Sequence, residues 1–139
     1  MTVRTAVFLF CAGALLSGCS TGRPLAERYA EILGEYRGLV STEQETYPVV
    51  TRFKFNEHGV LQGTYSLEDA TNKMSGILHD FRNSRDRSVE CTWNDEYGIG
   101  ILKLTFSDDL QRFKGRWGDD GKVARKCVWD GVRAPTAPR

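Results

Sequence analysis

The chain has 139 residues, with 19 Lys and Arg against 18 Asp and Glu. That length suits one domain around one modest core. A charge balance this even, with no basic stripe, excludes the electrostatic footprint of a nucleic-acid binder. The acidic residues fall mostly in pairs at expected turns, which excludes an acidic tail.

At the start, a single positive charge at Arg4 precedes a short apolar run, Ala6 to Leu16. The run is too short to span a bilayer and is followed by small residues, the pattern of a secretory signal peptide. Leu16-Ser17-Gly18-Cys19 resembles the lipobox of bacterial lipoproteins. The resemblance implies that residues 1–18 are a lipoprotein signal peptide and that Cys19 becomes the lipidated first residue. Dropping Arg4 leaves 18 basic side chains against 18 acidic ones. No later apolar stretch approaches transmembrane length, so the lipid at Cys19 is the expected membrane partner. Several acyl chains hold a protein almost permanently where one binds only marginally. Ser20 follows the cysteine, and in enterobacteria-like sorting that implies the outer membrane. The expected location is thus the bacterial cell envelope, facing the periplasm.

Of the four cysteines, Cys11 leaves with the signal and Cys19 takes the lipid. Cys91 and Cys127 remain as a pair in an oxidising compartment, where a disulfide is expected. Closing that loop would stabilise the fold by about 3–4 kcal/mol in the chain-entropy treatment. The alternative is two separate buried thiols.

Ser20 to Pro24 is small and polar, as a tether would be. Leu25, Tyr29, Ile32 and Leu33 recur at helical spacing and Gly34 stops them, so residues 19–33 read as a tether and a short amphipathic helix. From residue 34 the period changes to two. Strands are expected at Glu35 to Ser41, Tyr47 to Asn56, Val60 to Leu67 and Met74 to Arg82. Four more follow at Ser88 to Trp93, Ile99 to Ser107, Gln111 to Trp117 and Ala124 to Arg133. Turn residues separate them: Glu57-His58-Gly59, a polar loop through Asp69 and Asn72, Asn94 to Gly98, Asp108-Asp109 and Asp119-Asp120-Gly121. Eight short strands joined by tight turns predict an all-β antiparallel meander closing into a small barrel over residues 34–133. Residues 134–139, with two prolines, are expected to fray.

An aromatic residue and a glycine recur two positions apart: Tyr36 with Gly38, Gly63 with Tyr65, Gly115 with Trp117, and Trp129 with Gly131. Residues two apart share a strand face, and a glycine leaves room for a ring from the neighbouring strand. Cys91 with Trp93 and Cys127 with Trp129 keep the same spacing, on the inward face. Phe113-Lys114-Gly115-Arg116-Trp117 and the ending Trp129-Asp130-Gly131-Val132-Arg133 resemble a group of small bacterial β-barrel domains, most without assigned activity. In broad shape the domain is also similar to lipocalin-like and avidin-like barrels, which implies small-ligand binding by fold analogy alone.

Catalytic groups are few. His58 belongs to a turn. His79 is expected on a strand face with Ile77 and Phe81, with Asp80 pointing the other way, and no serine stands in a nucleophile elbow. The acidic pairs Glu68-Asp69, Asp95-Glu96, Asp108-Asp109 and Asp119-Asp120 lack the spacing of a calcium loop and read as turn residues. No Cys-x-x-Cys occurs and the histidines are not spaced to help, so no metal site is expected; no cofactor or catalytic residue is expected either. Arg82, Arg85 and Arg87 form a small basic loop, either solvated or facing anionic head groups. Trp93, Phe113, Trp117 and Trp129 are the candidate ligand aromatics, with core filling as the alternative.

The leading expectation is a lipid-anchored, non-catalytic binding or interaction module, for a protein partner or a small hydrophobic ligand. The second is an inhibitor of an envelope or host hydrolase, a lysozyme or a protease. Lysozyme-inhibitor lipoproteins carry a Ser-Gly-x-x-Tyr motif, and Ser75-Gly76-Ile77-Leu78 departs from it at His79. Its candidate loops are Thr42 to Thr46, Leu67 to Lys73 and Asn83 to Arg87. An enzyme has the least support.

Overall fold

The computed structural model describes residues 25–68, 73–119, 123–124 and 127–136. The signal, the lipobox, Cys19 and the tether lie outside the described residues, as do residues 137–139 of the tail.

Alternating apolar and polar side chains give each strand an inner and an outer face. In Gly98–Phe106, Leu102, Leu104 and Phe106 are buried while Lys103 and Thr105 face out. The strands are β1 (Gly34–Ser41), β2 (Thr46–Phe55), β3 (Leu61–Glu68), β4 (Lys73–Asn83), β5 (Ser88–Asp95), β6 (Gly98–Phe106), β7 (Arg112–Asp119) and β8 (Val128–Arg133). Each pairs antiparallel with the next, and β8 returns to β1, so the expected eight-stranded meander is a closed barrel. Closure leaves no edge strand free to recruit another chain. Side chains complete the β1–β8 seam: Asp130 Oδ1 accepts from the Leu39 amide at 2.8 Å, and Ser41 Oγ from the Val128 amide at 3.0 Å.

One end is plugged. The expected short helix is a 3-10 turn (Leu25–Arg28) running into a single α-helical turn, α1 (Tyr29–Ile32). Its Ile32 is fully buried, and Tyr29 donates to Asn83 Oδ1 at 3.1 Å. Beneath it Tyr36, Phe53, Phe106 and Phe113 pack edge-on or tilted, with ring centroids 5.4–6.0 Å apart. Such ring pairs add about 0.5–1.5 kcal/mol each beyond their buried area. Gly131 makes this possible, because a Cβ there would lie 2.6 Å from the Phe113 ring. That contact is the packing the glycine–aromatic spacing predicts. Leu110, in the β6–β7 turn, folds inward with φ of 57° and is buried. Its carbonyl accepts from the Tyr36 hydroxyl at 3.0 Å.

Arg133 locks this plug. Its Nη1 donates to the Leu33 carbonyl at 2.7 Å, and its Nη2 reaches Tyr36 Oη at 2.7 Å, the Glu31 carbonyl and the Leu110 carbonyl. The guanidinium also stands 5.0 Å from the centre of the Tyr36 ring. Burial pushes the Tyr36 hydroxyl up to about 12, with the nearby Arg133 charge pulling the other way.

Two expectations need correction. The register of β4 slips between His79 and Arg82, where Asp80 takes φ of 54°. A bulge of this kind breaks the period of two. Phe81 therefore turns inward against Phe53, at 6.0 Å, rather than sharing the outer face of His79. His79 and Asp80, expected on opposite faces, meet at 2.9 Å. The second correction concerns Cys91 and Cys127, which are free, buried thiols and form no disulfide. Cys91 pairs with Leu102, Leu102 with Trp117, and the Trp117 amide donates to the Cys127 carbonyl. Three strand-to-strand steps of ~4.8 Å make about 14 Å around the wall, against the ~7 Å that a disulfide can span between Cα atoms. Burial pushes both thiols up, Cys91 most strongly.

Candidate functional site

The end opposite the plug is open. Trp93 and Asp95 sit two apart on β5, and Trp117 and Asp119 sit two apart on β7, so each pair shares the inner face of its strand. Both strands finish at this end. The side chains surround a cup of about 350 Å³. Tyr65 and Trp129 are its most buried members, edge-to-face with ring centres 4.6 Å apart. Nearer the mouth, Trp93 and Trp117 meet at 90° with centres 5.6 Å apart. Val40, Tyr47, Leu67 and Met74 complete the apolar lining from β1 to β4, and the exposed Tyr97 stands at the lip.

The cup's polar atoms are mostly committed to the wall. Trp93 Nε1 donates to the Gly118 carbonyl at 3.2 Å, Trp117 Nε1 to the Ser41 carbonyl at 2.9 Å, and Trp129 Nε1 to Thr51 Oγ1 at 3.1 Å. Trp93 reaches across β6 because Gly100 lies beneath it; a Cβ there would come within 2.7 Å of the indole. Buried indole N–H groups need partners, and the wall supplies all three, so none of them is left as a donor to the cavity. Tyr65 Oη donates to Asp95 Oδ2 at 2.6 Å, while the Tyr97 amide donates to Asp95 Oδ1 at 2.8 Å. Burial first, then the bond to Asp95, pushes the Tyr65 hydroxyl far up, so it stays a neutral donor. Asp119 lines the cup from the far side of β6.

Of the four aromatic candidates, Trp93, Trp117 and Trp129 come together in the cup. Phe113 does not: it is buried in the plug at the other end. Cys127 adjoins Trp117 on the wall, and Cys91 lies in the core cluster. The arginine loop belongs to the plugged end, where Arg82 pairs with Glu90 at 3.1 Å. Arg87 there pairs with Asp108 and donates to the Phe106 carbonyl at 3.1 Å. His58 is exposed in the β2–β3 turn, and His79 is half-buried on the outer wall.

The acidic pairs divide. Asp109 is a turn residue as expected: hydrogen bonds from Ser107 Oγ and the Gln111 amide hold its carboxyl below the usual range. Asp95 keeps its turn role, its Oδ1 accepting from the Tyr97 amide two residues on, and also lines the cup, as does Asp119 at the end of β7. Their signal was the repeated Trp-x-Asp, whose spacing places an indole and a carboxylate on one face. Among the described residues, no cluster of three or more His, Cys, Asp or Glu side chains is placed to hold a metal ion. Compared with known proteins, the chain matches no protein-family model, no characterised protein and no solved structure.

Proposed function

We propose that this chain is a lipid-tethered binding module of the bacterial envelope that takes a small ligand in the open end of its barrel. The observation that carries the reading is the contrast between the two ends: one filled by rings and locked by Arg133, the other holding an aromatic cup of about 350 Å³. Ligand cavities run from ~300 to 1,000 Å³ and are mostly apolar with a few placed polar groups, and this cup sits at the small end of that range. The chain enters the barrel at the plugged end through α1. With Cys19 as the lipidated residue, the six residues to Leu25 reach at most about 21 Å. The plug would face the membrane and the cup the aqueous compartment.

The inhibitor reading gains no support of its own. Ser75 and Gly76 lie inside β4, with Gly76 paired to Tyr65 in the β3–β4 register. The full chain, made in a bacterial envelope and extracted in mild detergent, tests the proposal by native mass spectrometry. The expected species is residues 19–139 carrying a lipid adduct plus a small molecule that denaturation releases. An unprocessed, unlipidated chain with an empty cup would overturn it.

A further inference from the structure

We infer that the cup is built for a small organic cation, an ammonium or quaternary ammonium group on a compact apolar body. The inference rests on the cup being a ligand site and specifies what enters it. The charged side chains among the described lining residues are Asp95 and Asp119, both carboxylates, two strands apart across β6. The three indole N–H groups, which would otherwise be the donors for an anion, are spent on Gly118, Ser41 and Thr51. Tyr65 likewise spends its proton on Asp95. A ligand therefore meets carboxylate oxygens and aromatic rings, with Thr42 in the lining and Tyr97 at the lip. Ring faces carry the negative end of the quadrupole and attract cations, Trp most strongly. Carboxylates among the described lining of a concave mouth raise the local concentration of the matching ion. Asp95 is also pre-oriented: bonds from Tyr65 Oη and the Tyr97 amide fix both its oxygens and leave each a second lone pair. A cavity of 350 Å³ equals the bulk volume of about a dozen waters at ~30 Å³ each, room for a ligand of that many non-hydrogen atoms.

Tryptophan fluorescence of the full chain in detergent is the readout, because Trp93 and Trp117 would touch the ligand. Benzyltrimethylammonium is the first probe, followed by choline against its uncharged isostere 3,3-dimethylbutan-1-ol, and against hexanoate. The expected result is saturable quenching by benzyltrimethylammonium and choline binding about tenfold tighter than its isostere. Asp95→Asn and Asp119→Asn should each weaken the cations about tenfold and leave the alcohol unaffected. Asparagine has one acceptor oxygen where Asp95 takes two bonds, so Asp95→Asn keeps the acceptor for only one of Tyr65 and the Tyr97 amide; Asp119→Asn touches neither bond and is the cleaner test. Equal binding of choline and the alcohol, tighter binding of hexanoate, or cation binding unmoved by both variants would overturn the cation assignment while leaving the cup a ligand site. Failure of every probe, with an empty cup in native mass spectrometry, would overturn both.

Discussion

Replacing Arg133 by methionine keeps most of the buried stem and removes the guanidinium that ties the last strand to the N-terminal plug. Nη1 loses its bond to Leu33, and the two protons of Nη2 lose the best of Tyr36, Glu31 and Leu110. Three charge-assisted hydrogen bonds at ~1.5–3 kcal/mol each set a gross loss of about 4–9 kcal/mol. Several terms offset it. The Glu31 carbonyl contact is at the surface and rehydrates, and Leu110 keeps the Tyr36 hydroxyl. The guanidinium's burial cost, including an Nε with no partner, is also relieved. The net expectation is about 3 kcal/mol, or a fall in Tm of about 10–12 °C for a domain of this size. Thermal and urea unfolding followed by near-UV circular dichroism would measure it, with Arg133→Lys expected to fall between wild type and methionine. A loss under ~1 kcal/mol, with lysine and methionine indistinguishable, would refute the lock.

Three further outcomes follow from the same geometry. The Tyr36 hydroxyl is raised in the fold to about 12 from the ordinary ~10. Between those values the native state holds a proton that the unfolded state has lost. Its contribution is therefore complete below pH 10 and disappears as pH climbs toward 12. Urea midpoints that stay flat across that window would contradict the burial of Tyr36. In the mature chain, Cys91 and Cys127 should titrate as two thiols after denaturation but react slowly when native, and reductant should leave Tm unchanged. A mass two hydrogens short of the reduced formula would restore the disulfide. Trp117→Ala removes a half-buried ring, so it should cost about 1–2 kcal/mol, less than the ~3–5 of a fully buried one. It should also weaken binding in the cup; full affinity in that variant would remove Trp117 from the site.

Much of the barrel was legible in the chain because strand alternation and turn chemistry are local. The Leu102-Leu104-Phe106 face, the turn at Gly59 and the succession of eight strands all emerge within a few residues of themselves. The glycine–aromatic spacing also pointed correctly to rings lying over glycines, as Phe113 does over Gly131. Phe81 escaped because one bulge at Asp80 reverses every face beyond it. No pattern of period two contains that reversal.

Alternation says which face a residue occupies; it does not say how high along the barrel axis it sits or how far around the wall. Height separates Phe113, in the plug, from Trp93, Trp117 and Trp129, in the cup, although all share the inner face. Distance around the wall separates Cys91 from Cys127, which composition alone had paired. The same register brings Asp95 and Asp119 to the mouth, Asp95 while still accepting the Tyr97 amide in its turn. The sequence by itself determined the strands, their inner faces and the turns, since these depend on neighbours in the chain. Only the tertiary structure decided which inner residues meet, because register and closure are set by pairings between distant strands.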